Sequence, residues 1–204
     1  MLLYVEFISR RPGITLEDFR VHAGNAQSTW AADYGADQIV LNVGRTWRVG
    51  PEPEYLCAWY SPEHGLERID DWETVFRSGG HDAVHAEFES VARIDCAGCY
   101  TTLFPATPGT RGRYYLEWFE VAAGASESQL QDHFQRRARD HSDLDLNVVA
   151  LPIGAMAPRS LGFAAWGLPD FAAAQGLATA AHEETSPVRV VDASLMADLG
   201  EEQL

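Results

Sequence analysis

Apolar and polar positions follow a fixed succession through the first hundred residues. Residues 3–8 alternate, Leu3, Val5 and Phe7 against Tyr4, Glu6 and Ile8, which is the two-residue period of a strand. Pro12-Gly13 breaks the pattern. Thr15-Leu16-Glu17-Asp18 then reads as a helix-capping box, and Leu16, Phe19, Ala23, Ala26 and Trp30 follow at the spacing of one helix face. After Gly35, strands are predicted over 38–43 and 55–60, separated by a loop rich in Gly and Pro. A helical region over 66–88, interrupted at Gly79-Gly80, leads into a fourth strand over 91–100.

The succession then starts again. Residues 104–113, with Phe104-Pro105-Ala106-Thr107-Pro108-Gly109, have the composition of a linker. Strands over 114–121, 146–153, 161–167 and 188–196 alternate with helices that open at Ser126-Glu127-Ser128-Gln129 and run over 169–182. Tyr4, Glu6, Thr15, Phe19 and His22 correspond to Tyr115, Glu117, Ser126, Leu130 and His133, each 111 residues on. Ala58-Trp59 corresponds to Ala165-Trp166, and His85 to His182, with the spacing shrinking only where loops tolerate deletion. The chain is therefore expected to hold two β-α-β-β-α-β units, residues 1–103 and 114–204, joined by the linker 104–113. The expected fold class is α+β, two ferredoxin-like repeats whose antiparallel sheets pack face to face as an intramolecular barrel.

On the expectation that Leu3, Val5 and Phe7 pack on the helices, Tyr4, Glu6 and Ile8 face the barrel interior, together with Asn42, Arg93 and Asp95. A carboxyl, a phenol and an amide in a partly apolar chamber could orient a ligand and move protons, although an Arg93 ion pair with Glu6 or Asp95 would be only structural. His81 and His85 stand four apart on one helix face, where they could serve as acid and base or hold a metal with a further ligand. Trp47, in the loop after the second strand, and Trp59 could stack a flat substrate.

Charge and cysteine content narrow the field. The formal net charge is −15, with no basic run, which argues against nucleic acid and acidic membrane surfaces as partners. No apolar stretch approaches the roughly 18 residues of a membrane helix. With no recognisable leader, the expected location is cytoplasmic. Cys57, Cys96 and Cys99 are an odd set, expected to be reduced thiols, and no second ligand pair is spaced to make Cys96 and Cys99 a zinc site. Phosphate loops, dinucleotide fingerprints, Gly-x-Ser-x-Gly and HExxH are absent.

The chain resembles the dimeric α+β barrel superfamily at two places. Residues 8–20, Ile8-Ser9-Arg10-Arg11-Pro12-Gly13-Ile14-Thr15-Leu16-Glu17-Asp18-Phe19-Arg20, are similar to the opening of EthD-like members. Gly80-His81-Asp82-Ala83-Val84-His85-Ala86-Glu87-Phe88 is similar to the His-Pro-x-His-x-x-Phe segment of stress-responsive-type barrels, a group that includes a polyketide cyclase; the proline is missing here and the histidines stand four apart. In that group the histidine three before the Phe is a base, which the resemblance places at His85, with Phe88 beside it. The resulting expectation is a cofactor-independent lyase, cyclase or isomerase acting on a small aromatic or polyketide-like molecule. His85, His81, Tyr4 and Glu6 would carry the chemistry, and Asn42, Trp47, Tyr55, Trp59, Phe88 and Arg93 would bind the substrate. No metal and no cofactor is expected. The alternatives are a haem-handling protein or monooxygenase of the same superfamily, with haem or a divalent metal as cofactor, and a non-catalytic small-ligand-binding or stress protein. The expected assembly is a monomer or homodimer.

Overall fold

Leu2–Arg10 forms β1, the strand against which the first half of the molecule is organised. The structure is a computed structural model that describes residues 1–34, 38–46, 54–78, 82–157, 159–180 and 186–199. β1 lies between β3 (Tyr55–Ser61) and β4 (Ala92–Thr102), antiparallel to both, and β2 (Gln38–Arg45) pairs with the far side of β3. β5 (Arg113–Val121) lies in the same way between β7 (Gly162–Gly167) and β8 (Val188–Asp198), with β6 (Asp145–Pro152) outside β7. Short ladders, Val43–Arg45 on Met196–Asp198 and Tyr100–Thr102 on Ala150–Pro152, join the two sets into one closed eight-stranded antiparallel barrel.

The helices sit outside this sheet. α1 (Leu16–Tyr34) begins where the Asp18 amide donates to the Thr15 hydroxyl at 3.0 Å. The predicted helical region over 66–88 is two helices, α2 (Arg68–Arg77) and α3 (Asp82–Val91). α4 (Glu127–Asp140) opens with the expected capping box: the Gln129 amide donates to Ser126 Oγ, and the Ser126 amide donates back to Gln129 Oε1 at 2.8 Å. The Ala-rich segment is a 3₁₀ turn at Phe171–Ala173, whose Ala173 amide is capped by Asp170, followed by the short α5 (Ala174–Ala180). None of the described helices is long and apolar enough to cross a membrane.

The facing of β1 is opposite to that expected. Leu3, Val5 and Phe7 point into the barrel, where they pack with Leu116, Trp118 and Phe163. Ile8 packs instead beneath Phe19, Ala23, Ala26 and Trp30, on the helix side, as does Tyr4 at its margin. The barrel interior is the larger apolar volume and takes the more uniformly aliphatic parity. The helix side of β1 is covered only in part, so it tolerates a phenol and a carboxyl. The interior chamber expected between the sheets is closed by side chains; the space left near Phe7, Tyr55 and Trp118 is only about 20 Å³.

Candidate functional site

A cavity of about 710 Å³ opens on the outer face of the sheet, between β1, β3 and β4 below and the three helices of the first half above. That volume falls in the range of sites that take cofactors and drug-sized molecules. Its floor is Tyr4, Glu6 and Trp59, with Cys99 beside them. Trp30 of α1, Trp72 of α2 and Phe88 of α3 form apolar walls, and His85 enters from α3. Arg11 and Arg93 reach it from the chain before α1 and from β4.

Each of these side chains is placed by local structure. The His85 ring lies 5.1 Å from the Trp30 ring and the Phe88 ring 5.4 Å from it, so α1 and α3 meet through one tryptophan. Tyr4 packs on Trp72 at 5.3 Å, which holds α2 against the floor. Arg11 Nε donates to the carbonyls of Ala92 and Glu89, turning the residues before α1 toward the end of α3. Arg93 Nε donates to Asp95 at 2.6 Å, and Asp95 also accepts the Ser9 hydroxyl.

Glu6 is the unusual group on the floor. It is 7% exposed, and its one hydrogen bond to a described residue comes from Trp59 Nε1 at 3.3 Å. Burial pushes its carboxyl from the ordinary 4.5 up to about 7, against the opposing pull of the Trp59 bond. Burial also raises the neighbouring Cys57 thiol, and the nearby Glu6 adds to that shift. Near neutrality Glu6 can therefore either hold a proton or give one up.

The matching place in the second half is built differently. Glu117 is fully buried and accepts Trp166 Nε1 at 3.2 Å, as Glu6 accepts Trp59. It also receives both ends of Arg137 from α4, Nη1 to Oε1 at 2.6 Å and Nη2 to Oε2 at 3.1 Å. The guanidinium lies 5.1 Å over the Trp166 ring. His133, one turn before Arg137, is pushed down to about 4 by burial and by Arg137 and Arg136, so it is neutral at physiological pH. Its counterpart His22 is at the surface, where Nδ1 lies 2.8 Å from Glu87. Neither histidine lines the large cavity.

Six of the expected residues meet in the cavity: Tyr4, Glu6, Trp59, His85, Phe88 and Arg93. They meet on the helix side of the sheet and not inside the barrel. Asn42 and Tyr55 are not among the lining residues. Asn42 Nδ2 donates to Gln27 Oε1 at 2.6 Å, and Tyr55 stacks on Phe19 at 4.2 Å. Both side chains link α1 to β2 and β3 and lie away from this cavity. Arg93 pairs with Asp95, the structural pairing weighed above, and still borders the cavity. His81 and Trp47 lie outside the described residues, as does His182. Arg11, Trp30 and Trp72 were missed as site residues. Trp30 carried a signal: it follows the small Ala23 and Ala26 on the same apolar stripe.

No family model matches the chain, and no curated protein matches it by sequence. Solved structures do. A novel haem-binding protein from Thermus thermophilus is similar with a TM-score of 0.60 at 11% identity, over 96% of this chain and 90% of that one. A chlorite dismutase from Candidatus Nitrospira defluvii is similar at 0.59 and 8%, over 97% and 91%. The chain shares their α+β fold. A dye-decolorizing peroxidase from Bacteroides thetaiotaomicron is similar at 0.51 and 6%, over 97% and 93%. At these identities the likeness establishes the fold alone. It carries the general kind of barrel that the sequence resembles and does not reach the EthD-like subgroup. It also overturns the expectation of a cofactor-independent lyase, cyclase or isomerase, since these solved proteins are described by haem binding, chlorite dismutation and peroxidation.

Proposed function

We propose that this protein binds haem in the cavity of its first half and uses it for redox chemistry or haem handling. The observation that carries the reading is the lining of the 710 Å³ cavity: one imidazole, three tryptophans, two guanidiniums and the carboxyls of Glu6, Glu73 and Glu89 around a largely apolar space. These residues fit the group. His85 would hold the iron, Trp30, Trp72 and Phe88 would flank the flat ring and exclude water, and Arg11 and Arg93 would meet its carboxylates. That the fold neighbours include a haem-binding protein supports the reading.

Bound haem would supply one-electron and oxygen-type chemistry, and the protein would supply binding, orientation and electrostatics. Within that division, Glu6 holds or releases a proton at its carboxyl near pH 7. Trp59 Nε1 fixes the orientation of that carboxyl. Tyr4 and Trp72 keep the floor and wall in register. We read the chain further as two fused repeats, 1–103 and 114–204, with the haem cavity in the first.

Adding haemin to the purified protein tests this. The reading expects a sharpened, shifted Soret band that saturates at one haem per chain, and His85→Ala should weaken binding at least about tenfold while circular dichroism stays unchanged. Haemin that leaves the spectrum of free haemin unaltered, or binding equal in the His85→Ala protein, overturns it.

A further inference from the structure

The second half of the molecule shows what the Glu6 carboxyl lacks. Glu6 and Glu117 each follow by two residues a tyrosine that pairs across the ladder with a tryptophan, Tyr4 with Trp59 and Tyr115 with Trp166. Each glutamate accepts that tryptophan's indole N–H. At Glu117 the remaining capacity is filled by the fork of Arg137, which stands eleven residues after the cap Ser126. The residue eleven after the cap Thr15 is Ala26, buried against Trp30 and Phe88. No described cation bonds to Glu6. Of the two arginines at the cavity, Arg11 donates to backbone carbonyls and Arg93 to Asp95. Where α4 projects a guanidinium, α1 carries only the buried methyl of Ala26, and Glu6 is left lining the cavity.

We propose that the cavity binds, against Glu6, a ligand carrying a planar cationic N–H group, an amidinium or guanidinium, on an aromatic or otherwise apolar body. The cation takes the place that Arg137 fills at Glu117. A two-pronged donor matches both carboxylate oxygens at once, and a buried carboxylate gains most from such a partner. Trp59, the counterpart of the Trp166 ring that lies 5.1 Å from Arg137, lines the cavity, and Trp30 and Trp72 accommodate the body of the ligand. Because burial holds the Glu6 carboxyl near 7, binding of a cation at neutral pH releases a proton from it. The ligand shares the Trp30 and Trp72 walls with haem, so it is a competing occupant of the same cavity, and the proposal does not depend on the haem reading.

The test is calorimetric titration of the full-length protein with benzamidine and with its neutral isostere benzamide, at pH 8, before and after haemin loading. Hydrogen bonds to a charged group predict that benzamidine binds about 30-fold more tightly than benzamide. Glu6→Gln should reduce that ratio to about threefold or less with the fold intact by circular dichroism. Ala26→Arg, which supplies the guanidinium internally, should abolish binding of benzamidine. Equal affinity for the two compounds in the wild-type protein, an undiminished ratio in Glu6→Gln, or unchanged benzamidine binding in a folded Ala26→Arg protein overturns the proposal. Glu6-dependent benzamidine binding without any haemin binding defeats the haem reading alone, and haemin binding without a benzamidine preference defeats this one alone.

Discussion

Two glutamates stand at matching places on β1 and β5, and among the described residues one has a cationic partner and the other has none. Glu117 has Trp166 and the bidentate Arg137, and the space over it is filled. Glu6 has Trp59, an alanine where the arginine would come, and a cavity of about 710 Å³. The first arrangement is a closed ion pair, which holds α4 to the sheet and leaves no room for a ligand. The second leaves a titratable carboxyl on the floor of an apolar pocket, at a cost in stability. The difference teaches that the complement of a buried charge distinguishes the halves where the strand sequences look alike.

The comparison can be broken first at Arg137. Arg137→Met leaves Glu117 buried without its cation and should cost about 3–5 kcal/mol in urea unfolding. The double variant Arg137→Met, Glu117→Gln should recover most of that loss. A loss below about 1 kcal/mol in the single variant would mean that the pair contributes little and the contrast is false.

Glu6 should respond with the opposite sign. Its carboxyl is raised from 4.5 to about 7 in the folded protein, so the folded state binds the extra proton between those values. The stability this lends is fully present below pH 4.5 and is lost as pH rises through about 7. Glu6→Gln, which resembles the protonated form at every pH, should match the wild type below pH 4.5. Above pH 8 it should be more stable by about 3 kcal/mol. Unfolding curves at the two pH extremes measure this directly.

Smaller effects sharpen the picture. Trp166→Phe and Trp59→Phe each remove one indole N–H from a carboxyl, at about 1–2 kcal/mol. At Glu6 the loss also removes the pull that lowers its carboxyl, so the pH midpoint of Trp59→Phe should move upward. The helix caps form the last pair. Ser126→Ala breaks a reciprocal box and should cost about 1 kcal/mol, and Thr15→Ala, whose hydroxyl also bonds Asp18, somewhat less.

Much of the element order was legible in the chain. Alternation at Leu3 to Ile8, the stripe from Leu16 to Trp30 and the box at Ser126 to Gln129 are local signals, and each appears where the period placed it. The facing of β1 was not legible, because one of its faces is covered by the barrel interior and the other, in part, by the helices. Alternation shows two parities without showing which one meets the barrel and which the helices. Tyr4, Glu6, Trp59 and His85 were found as candidates through their chemistry, yet assigned to a chamber that Phe7, Trp118 and Phe163 fill. Arg11 and Trp72 escaped notice because their place depends on how α2 and the residues before α1 fold back over the sheet, which no short-range pattern encodes. The cofactor expectation failed for a related reason: the absence of nucleotide motifs says nothing about a ligand held by one imidazole and flat apolar walls.

The contrast between the two glutamates rests on Glu6 being buried without a cation. Carbon-13 NMR of glutamate-labelled protein, titrated from pH 4 to pH 9 with Glu6→Gln to assign the resonance, measures this at the site. The account predicts a Glu6 carboxyl with its midpoint near 7. A midpoint near the ordinary 4.5 would show that water or a cation already satisfies Glu6, and would contradict it.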